Sequence, residues 1–135
     1  MKSRKSRIRA SAKRFEREEA RYLLRIDGGP TGPLKELITS TGRVGHLTSL
    51  GFDTASKNYC AEVKAVTSFA KDPGKRIKRS ELIQIQDKAK QFGKHWVYVL
   101  KFAGLEAMHG ISRERHAHLL ACEKKVQELE RRLRG

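Results

Sequence analysis

The sequence predicts a mixed α/β domain: a central mixed β-sheet flanked by helices, with a long C-terminal helix. Three observations predict it. Segments whose apolar residues recur at helical spacing alternate with short segments rich in β-compatible residues. Gly, Pro and small polar residues punctuate the boundaries, as in IDGGPTGP and KDPGK. The length of 135 residues suits one domain around one core. We divide it into a flexible basic arm over 1–10, a core over 11–111 and a C-terminal helix over 112–135.

The first 14 residues, MKSRKSRIRASAKR, hold seven basic residues and no acidic one. A helix is expected from near Arg9 or Ser11 to about Arg25, with Ala12, Phe15, Ala20, Leu23 and Leu24 as its apolar stripe. Gly28 and Gly29 then allow a C-cap, and Pro30 forbids continuation. LKELIT suits one or two helical turns. RVGHLTSLGFD, from Arg43, reads as a strand or strand pair reaching Asp53, and TASKN as a tight reversal.

YCAEVKAVTSF is the clearest strand, with Tyr59, Ala61, Val63 and Ala65 on one face. AKDPGKRIKRS is a basic loop, mobile when nothing is bound. A helix follows, with Ser80 as N-cap and Gly93 as its end. HWVYVLKF is nearly all apolar, as a strand covered on both faces should be. Ser112 to Arg134 completes the chain as a helix. The predicted order is helix, two strands, helix, strand, helix.

Composition narrows the function. Apolar content of 38% with Cys 2 fits an intracellular, cytoplasmic protein without disulfide staples. No apolar run approaches the roughly 18 residues of a membrane span, and no apolar stretch follows the basic N-terminus. No membrane partner is expected. The formal charge of +15 calls for a polyanion, and nucleic acid is the default.

Asp53, Glu62 and Lys64 supply the chemistry. Antiparallel pairing across TASKN brings Asp53 beside Glu62, and residues 62 and 64 point the same way on a strand. Two neighbouring carboxylates can hold Mg²⁺, with Mn²⁺ as a substitute, and a Lys can stabilise charge growing on a phosphate. Glu-x-Lys also occurs on solvated strand faces. Here Asp53 ends an apolar stretch, and strongly basic segments flank the set.

The ordered set GFDTASKNYCAEVKAV resembles the core motif of the PD-(D/E)XK nuclease superfamily, most closely its Holliday-junction-resolvase-like, phage-type branch. The resemblance spans about residues 11–102 and implies a restriction-endonuclease-like core. Asp53, Glu62 and Lys64 match the motif residues. AKRFEREEARYLL looks like the family's first helix, with Glu16 as the metal-side acid and Glu19 as its alternative. Gln84 or Gln86 matches the polar residue of the following helix. Phe52 stands where the motif name has Pro, and the hairpin before Glu62 is short.

By this resemblance the chain is a Mg²⁺-dependent, structure-selective endodeoxyribonuclease that resolves four-way junctions. It would be encoded by a phage or a prokaryotic host. Metal-holding residues would be Asp53, Glu62 and Glu16. A nicking or general DNA-processing nuclease of the same superfamily is the nearer alternative; a non-catalytic basic nucleic-acid-binding protein is the more distant one. Phosphate contacts are expected from Lys2, Arg4, Lys5, Arg7, Arg9, Lys13, Arg14, Lys57, Lys75, Arg76, Lys78 and Arg79.

Other candidates carry less. His46, His95, His109, His116 and His118 show no zinc spacing, and Cys60 and Cys122 lie far apart. Trp96 and Tyr98 belong to a core strand. In the last helix Leu119, Cys122, Val126, Leu129 and Leu133 are separated by 3, 4, 3 and 4 residues. This heptad-like seam packs either on the sheet or at a subunit interface. A two-fold junction needs paired cuts, so a homodimer is expected.

Overall fold

The computed structural model describes residues 4–32, 35, 51–67 and 71–135, with the side chains of 4–10 and 12 left aside. The elements are α1 (Arg4–Asp27), β1 (Thr54–Ala55), β2 (Tyr59–Val66), α2 (Arg79–Gln91), β3 (His95–Phe102), β4 (Met108–Gly110) and α3 (Arg113–Arg134). The strands form one mixed sheet in the order β1-β2-β3-β4. β2 and β3 are parallel and joined through α2, whereas β1 and β4 pair antiparallel at the edges. A mixed α/β fold is therefore present. The helical turn expected in LKELIT and the strand expected from Arg43 lie outside the described residues, except Lys35 and the segment 51–53.

The sheet buries both faces because β2 alternates. Ala61 and Val63 join Leu23 of α1 and Val97 and Val99 of β3 in one apolar cluster. Cys60 points the other way, into Phe52, Ala55, Ile85 and Ala89, with Phe92 and Trp96 packed alongside. Val97, Tyr98 and Val99 are buried in succession, as expected for a strand covered on both sides. Complete burial of Ile85 contributes roughly 1.5–3 kcal/mol.

Several boundaries differ from expectation. Helix α1 begins at Arg4, so most of the segment expected as a flexible arm over 1–10 is helical. Arg, Lys, Ile and Ala sustain a helix there, and neither Gly nor Pro interrupts it. Strand β1 is only Thr54–Ala55, taken from the segment read as a turn, and the reversal narrows to Ser56–Asn58. Helix α2 is capped at Lys78 and holds Ser80 within its first turn, since Leu82 N–H already bonds the Lys78 carbonyl. β4 was not anticipated; its three residues are too few for a periodic signal.

Two contacts lock α1 to the hairpin: Lys57 N–H donates to the Gly28 carbonyl at 3.0 Å, and Asp27 binds the reversal. Gly28, at φ 81°, ends the helix with its N–H on the Leu24 carbonyl. The Asp27 carboxylate then accepts three hydrogen bonds: from Ser56 Oγ at 2.6 Å, Asn58 N–H at 2.7 Å and Asn58 Nδ2 at 2.6 Å. Burial pushes the Asp27 pKa up, but these bonds and the Lys94 charge outweigh it and hold the carboxyl below its ordinary value. The end of α1 is thereby fixed against the β1–β2 turn.

Helix α3 behaves differently. Ser112 caps it, accepting from Arg115 N–H at 3.0 Å, yet no residue of the helix is buried. Packing of its apolar seam on the sheet, one of the two expectations, is not observed. Among the described residues no helix is long and apolar enough to cross a membrane.

Candidate active site

The β1–β2 register determines which side chains meet. Ala55 lies opposite Cys60 and Thr54 opposite Ala61, so the next position sets Asp53 across from Glu62. Asp53 N–H donates to the Ala61 carbonyl at 3.0 Å. The Asp53 carboxylate accepts from Val63 N–H at 2.7 Å, taking the place of the main-chain acceptor that a longer β1 would offer. Just before it, Gly51 adopts φ 91°, and a Cβ there would stand 2.8 Å from Gln84 Nε2.

Glu62 and Lys64, two residues apart on β2, share a face and form an ion pair of 3.1 Å. Lys64 also lies 3.9 Å from Glu81 of α2. Glu81 in turn accepts from the Tyr98 hydroxyl at 3.0 Å. Tyr98 stands opposite Glu62 in the parallel β2–β3 register. Its pKa is raised by burial, by the bond to Glu81 and by the charges of Glu81, Glu62 and Asp53, so the hydroxyl remains a donor.

Glu16 arrives from α1. Its carboxyl interacts with Asp53 by charge and by a side-chain hydrogen bond, and with Glu62 and Lys64 by charge. Burial, then the Asp53 charge and hydrogen bond, then the Glu62 charge push its pKa up to about 7, against the opposing effect of Lys64. Glu62 is raised by burial and by Asp53, with Lys64 opposing. Burial lowers the Lys64 pKa, but the bond and charge of Glu62, followed by Glu81 and Asp53, carry it above its ordinary value. A proton on Glu16 and the Lys64 ammonium thus offset the crowding of acids.

The structure separates the first-helix alternatives. Glu16 meets Asp53, whereas Glu19 pairs with His109 of β4, whose ring stands edge-on to Tyr22. On α2, Gln84 lies beside Gly51 and Gln86 is exposed. Glu81, one turn before Gln84, is the α2 side chain that reaches Lys64. Sequence reasoning overlooked it because it sits in the first turn of α2, where an acid also suits the helix dipole.

All-oxygen donors of this kind suit Mg²⁺ or Mn²⁺, and the raised pKa of Glu16 marks where a cation would relieve repulsion. The side chains do not stand as a ready ligand shell: among the described residues, no group of three or more His, Cys, Asp and Glu is placed to hold a metal ion. Cation binding would have to displace the Glu16 proton and loosen Lys64 from Glu62. Cys60 is no competitor as a ligand, because burial pushes its thiol up to about 11.

The basic residues frame the site unevenly. Lys13, Arg14, Lys57, Lys75, Arg76, Lys78 and Arg79 are exposed, and Arg14 shares its charge with Glu18 at 3.1 Å. Arg4, Lys5, Arg7 and Arg9 lie on the first turns of α1, with their side chains outside the described residues, as is all of Lys2. Lys75, Arg76 and Lys78 precede α2 and Arg79 opens it, two residues from Glu81. Comparison with known proteins finds no matching family model, no matching curated protein and no matching solved structure.

Proposed function

We propose that this chain is a Mg²⁺-dependent, structure-selective endodeoxyribonuclease acting on branched DNA, four-way junctions above all, on a restriction-endonuclease-like core. One observation carries the reading: Glu16, Asp53 and Glu62, from three separate segments, converge beside Lys64 in a chain of net charge +15. A solvated strand face has no reason to draw a third acid from a distant helix. Crowding acids costs stability, and a site for a cation and a phosphodiester compensates that cost.

Asp53 and Glu62 would hold the cation, with Glu16 beside them. When bound, the ion supplies Lewis acidity and positive charge next to the scissile phosphate. Lys64, kept cationic by Glu62, faces the charge that grows on the phosphoryl oxygens. Glu16, ionised once a bound cation displaces its proton, would accept the proton of the attacking water. The water oxygen bonds to phosphorus as the bond to the 3′-oxygen breaks, and that oxygen leaves with a solvent proton. The resulting 5′-phosphate and 3′-hydroxyl follow the polarity of the resembled superfamily.

The Glu62–Lys64 ion pair supports a second reading, in which the pair is structural and the chain is a non-catalytic nucleic-acid-binding protein. Incubation with synthetic four-way, forked and linear duplex DNA, with and without Mg²⁺, separates the readings. Metal-dependent cutting confined to branched substrates supports the proposal. Cutting of linear duplex equally well favours a general or nicking nuclease. Binding without cutting under all conditions favours the second reading.

A further inference from the structure

Helix α3 leaves its own domain after one tethered turn. Arg115 Nε donates to the Tyr59 hydroxyl at 2.8 Å, and its guanidinium lies 5.5 Å from the Tyr59 ring centroid. Beyond Arg115 every residue of the helix is exposed except Cys122, which is half-buried. Leu119, Val126, Leu129 and Leu133 are 40%, 52%, 56% and 87% exposed. A row of such residues along a helix about 33 Å long is an apolar stripe that no described residue of its own domain buries.

The stripe follows the heptad. Leu119, Val126 and Leu133 fall at a, and Cys122 and Leu129 at d. A β-branched residue at a followed by Leu at d, as in Val126 and Leu129, favours two strands. The flanking charges are sorted by sign: Glu123 and Glu130 occupy e, whereas Lys125 and Arg132 occupy g, where the polar His118 also falls. Leu120 falls at b, beside the seam.

We propose that α3 forms a parallel, in-register two-stranded coiled coil with α3 of a second copy of this chain. In a parallel pair each g residue meets the e residue five positions later on the other helix. Lys125 then meets Glu130 of the partner subunit, and His118 meets Glu123 of the partner subunit. An antiparallel pair would set e against e and g against g, acid on acid and base on base. Single surface pairs contribute little, but reversing all of them chooses the orientation. The inference does not rest on the nuclease reading, since it uses no residue of the acidic cluster.

The geometry can be read with the full chain and without DNA. A parallel, in-register seam sets the two Cys122 side chains opposite each other in one d layer, whereas an antiparallel seam sets them apart. Cys60 is 0% exposed and does not compete. Sedimentation at micromolar concentration should show a dimer. Treatment with diamide should link it through Cys122, and C122S should abolish the link while the dimer persists. V126D with L129D should raise the dissociation constant by at least about a hundredfold and leave the melting temperature of the domain unchanged.

K125E alone should weaken the dimer about tenfold, and adding E130K should restore it. A monomeric wild type overturns the proposal, as does a dimer unaffected by V126D and L129D. A dimer that diamide cannot link overturns the parallel register. If V126D and L129D instead lower the melting temperature of a protein that stays dimeric, the seam packs within its own chain and the proposal fails.

Discussion

The Asp53 carboxylate is hydrogen-bonded to the backbone N–H of Val63 at 2.7 Å, between the two charged residues Glu62 and Lys64 on β2. This bond anchors an acid from the edge of the sheet onto the strand that carries the other two groups. The bond leaves the second Asp53 oxygen for a neighbour, and Asp53 lies close enough to Glu16 and Glu62 for its charge to raise the pKa of both. Asp53 is therefore the hub of the cluster.

D53N should abolish cleavage while junction binding without divalent metal persists. Asn retains a carbonyl oxygen that can accept from Val63 N–H, so the local fold survives while the charge is lost. E62Q should behave alike. Binding by gel shift and cutting in Mg²⁺ measure the two halves separately; a D53N protein that cuts at the wild-type rate removes this residue from the site.

Glu16 makes stability and activity depend on pH in opposite ways. Its folded pKa rises from the ordinary 4.5 to about 7, so the folded state holds more protons than the unfolded state between those values. Without metal, stability should therefore fall as pH rises from 4.5 to about 7. At limiting Mg²⁺, cleavage should rise toward and through pH 7, because the cation binds only as Glu16 gives up its proton. E16Q should flatten this part of the melting-temperature profile. Asp27, depressed below its ordinary 3.8, acts only in more acid solution, where its contribution is lost as pH falls.

Lys64 and the basic residues ahead of α2 should separate by kinetic signature. K64A should lower kcat by roughly a hundred- to a thousandfold with modest change in affinity, because its charge matters most as the transition state forms. Neutralising Arg76, Lys78 and Arg79 should weaken binding and reduce the salt slope by about 0.9 for each DNA phosphate that the protein no longer neutralises. Equal falls in affinity from both would make Lys64 another phosphate-binding side chain.

Asp27 should prove a positioning residue. Its three bonds join the end of α1 to the Ser56–Asn58 reversal. D27A should cost roughly 1–3 kcal/mol in denaturant melts. It should also lower kcat more than affinity, by loosening Glu16 from Asp53. D27N, which can still accept a hydrogen bond, should recover part of both losses.

The pattern of residues by itself determined the two main strands, the three long helices, and the adjacency of Asp53, Glu62 and Lys64. Strand alternation and a short reversal act over a few residues, so the local sequence contains what they need. β1 and β4 escaped because two- and three-residue strands have no period; pairing with β2 and β3 defines them. The choice of Glu16 over Glu19 needed the rotation of α1 against the sheet, set by Leu23 in the core and Asp27 on the turn. Glu81 needed the parallel crossover that lays α2 over β2 and β3 and brings its first turn to Lys64 and Tyr98. The heptad of α3 was legible in the sequence. That the described core leaves it unburied was decided only in three dimensions, because an apolar seam fits a sheet or a second helix equally well until packing assigns the sheet to other residues.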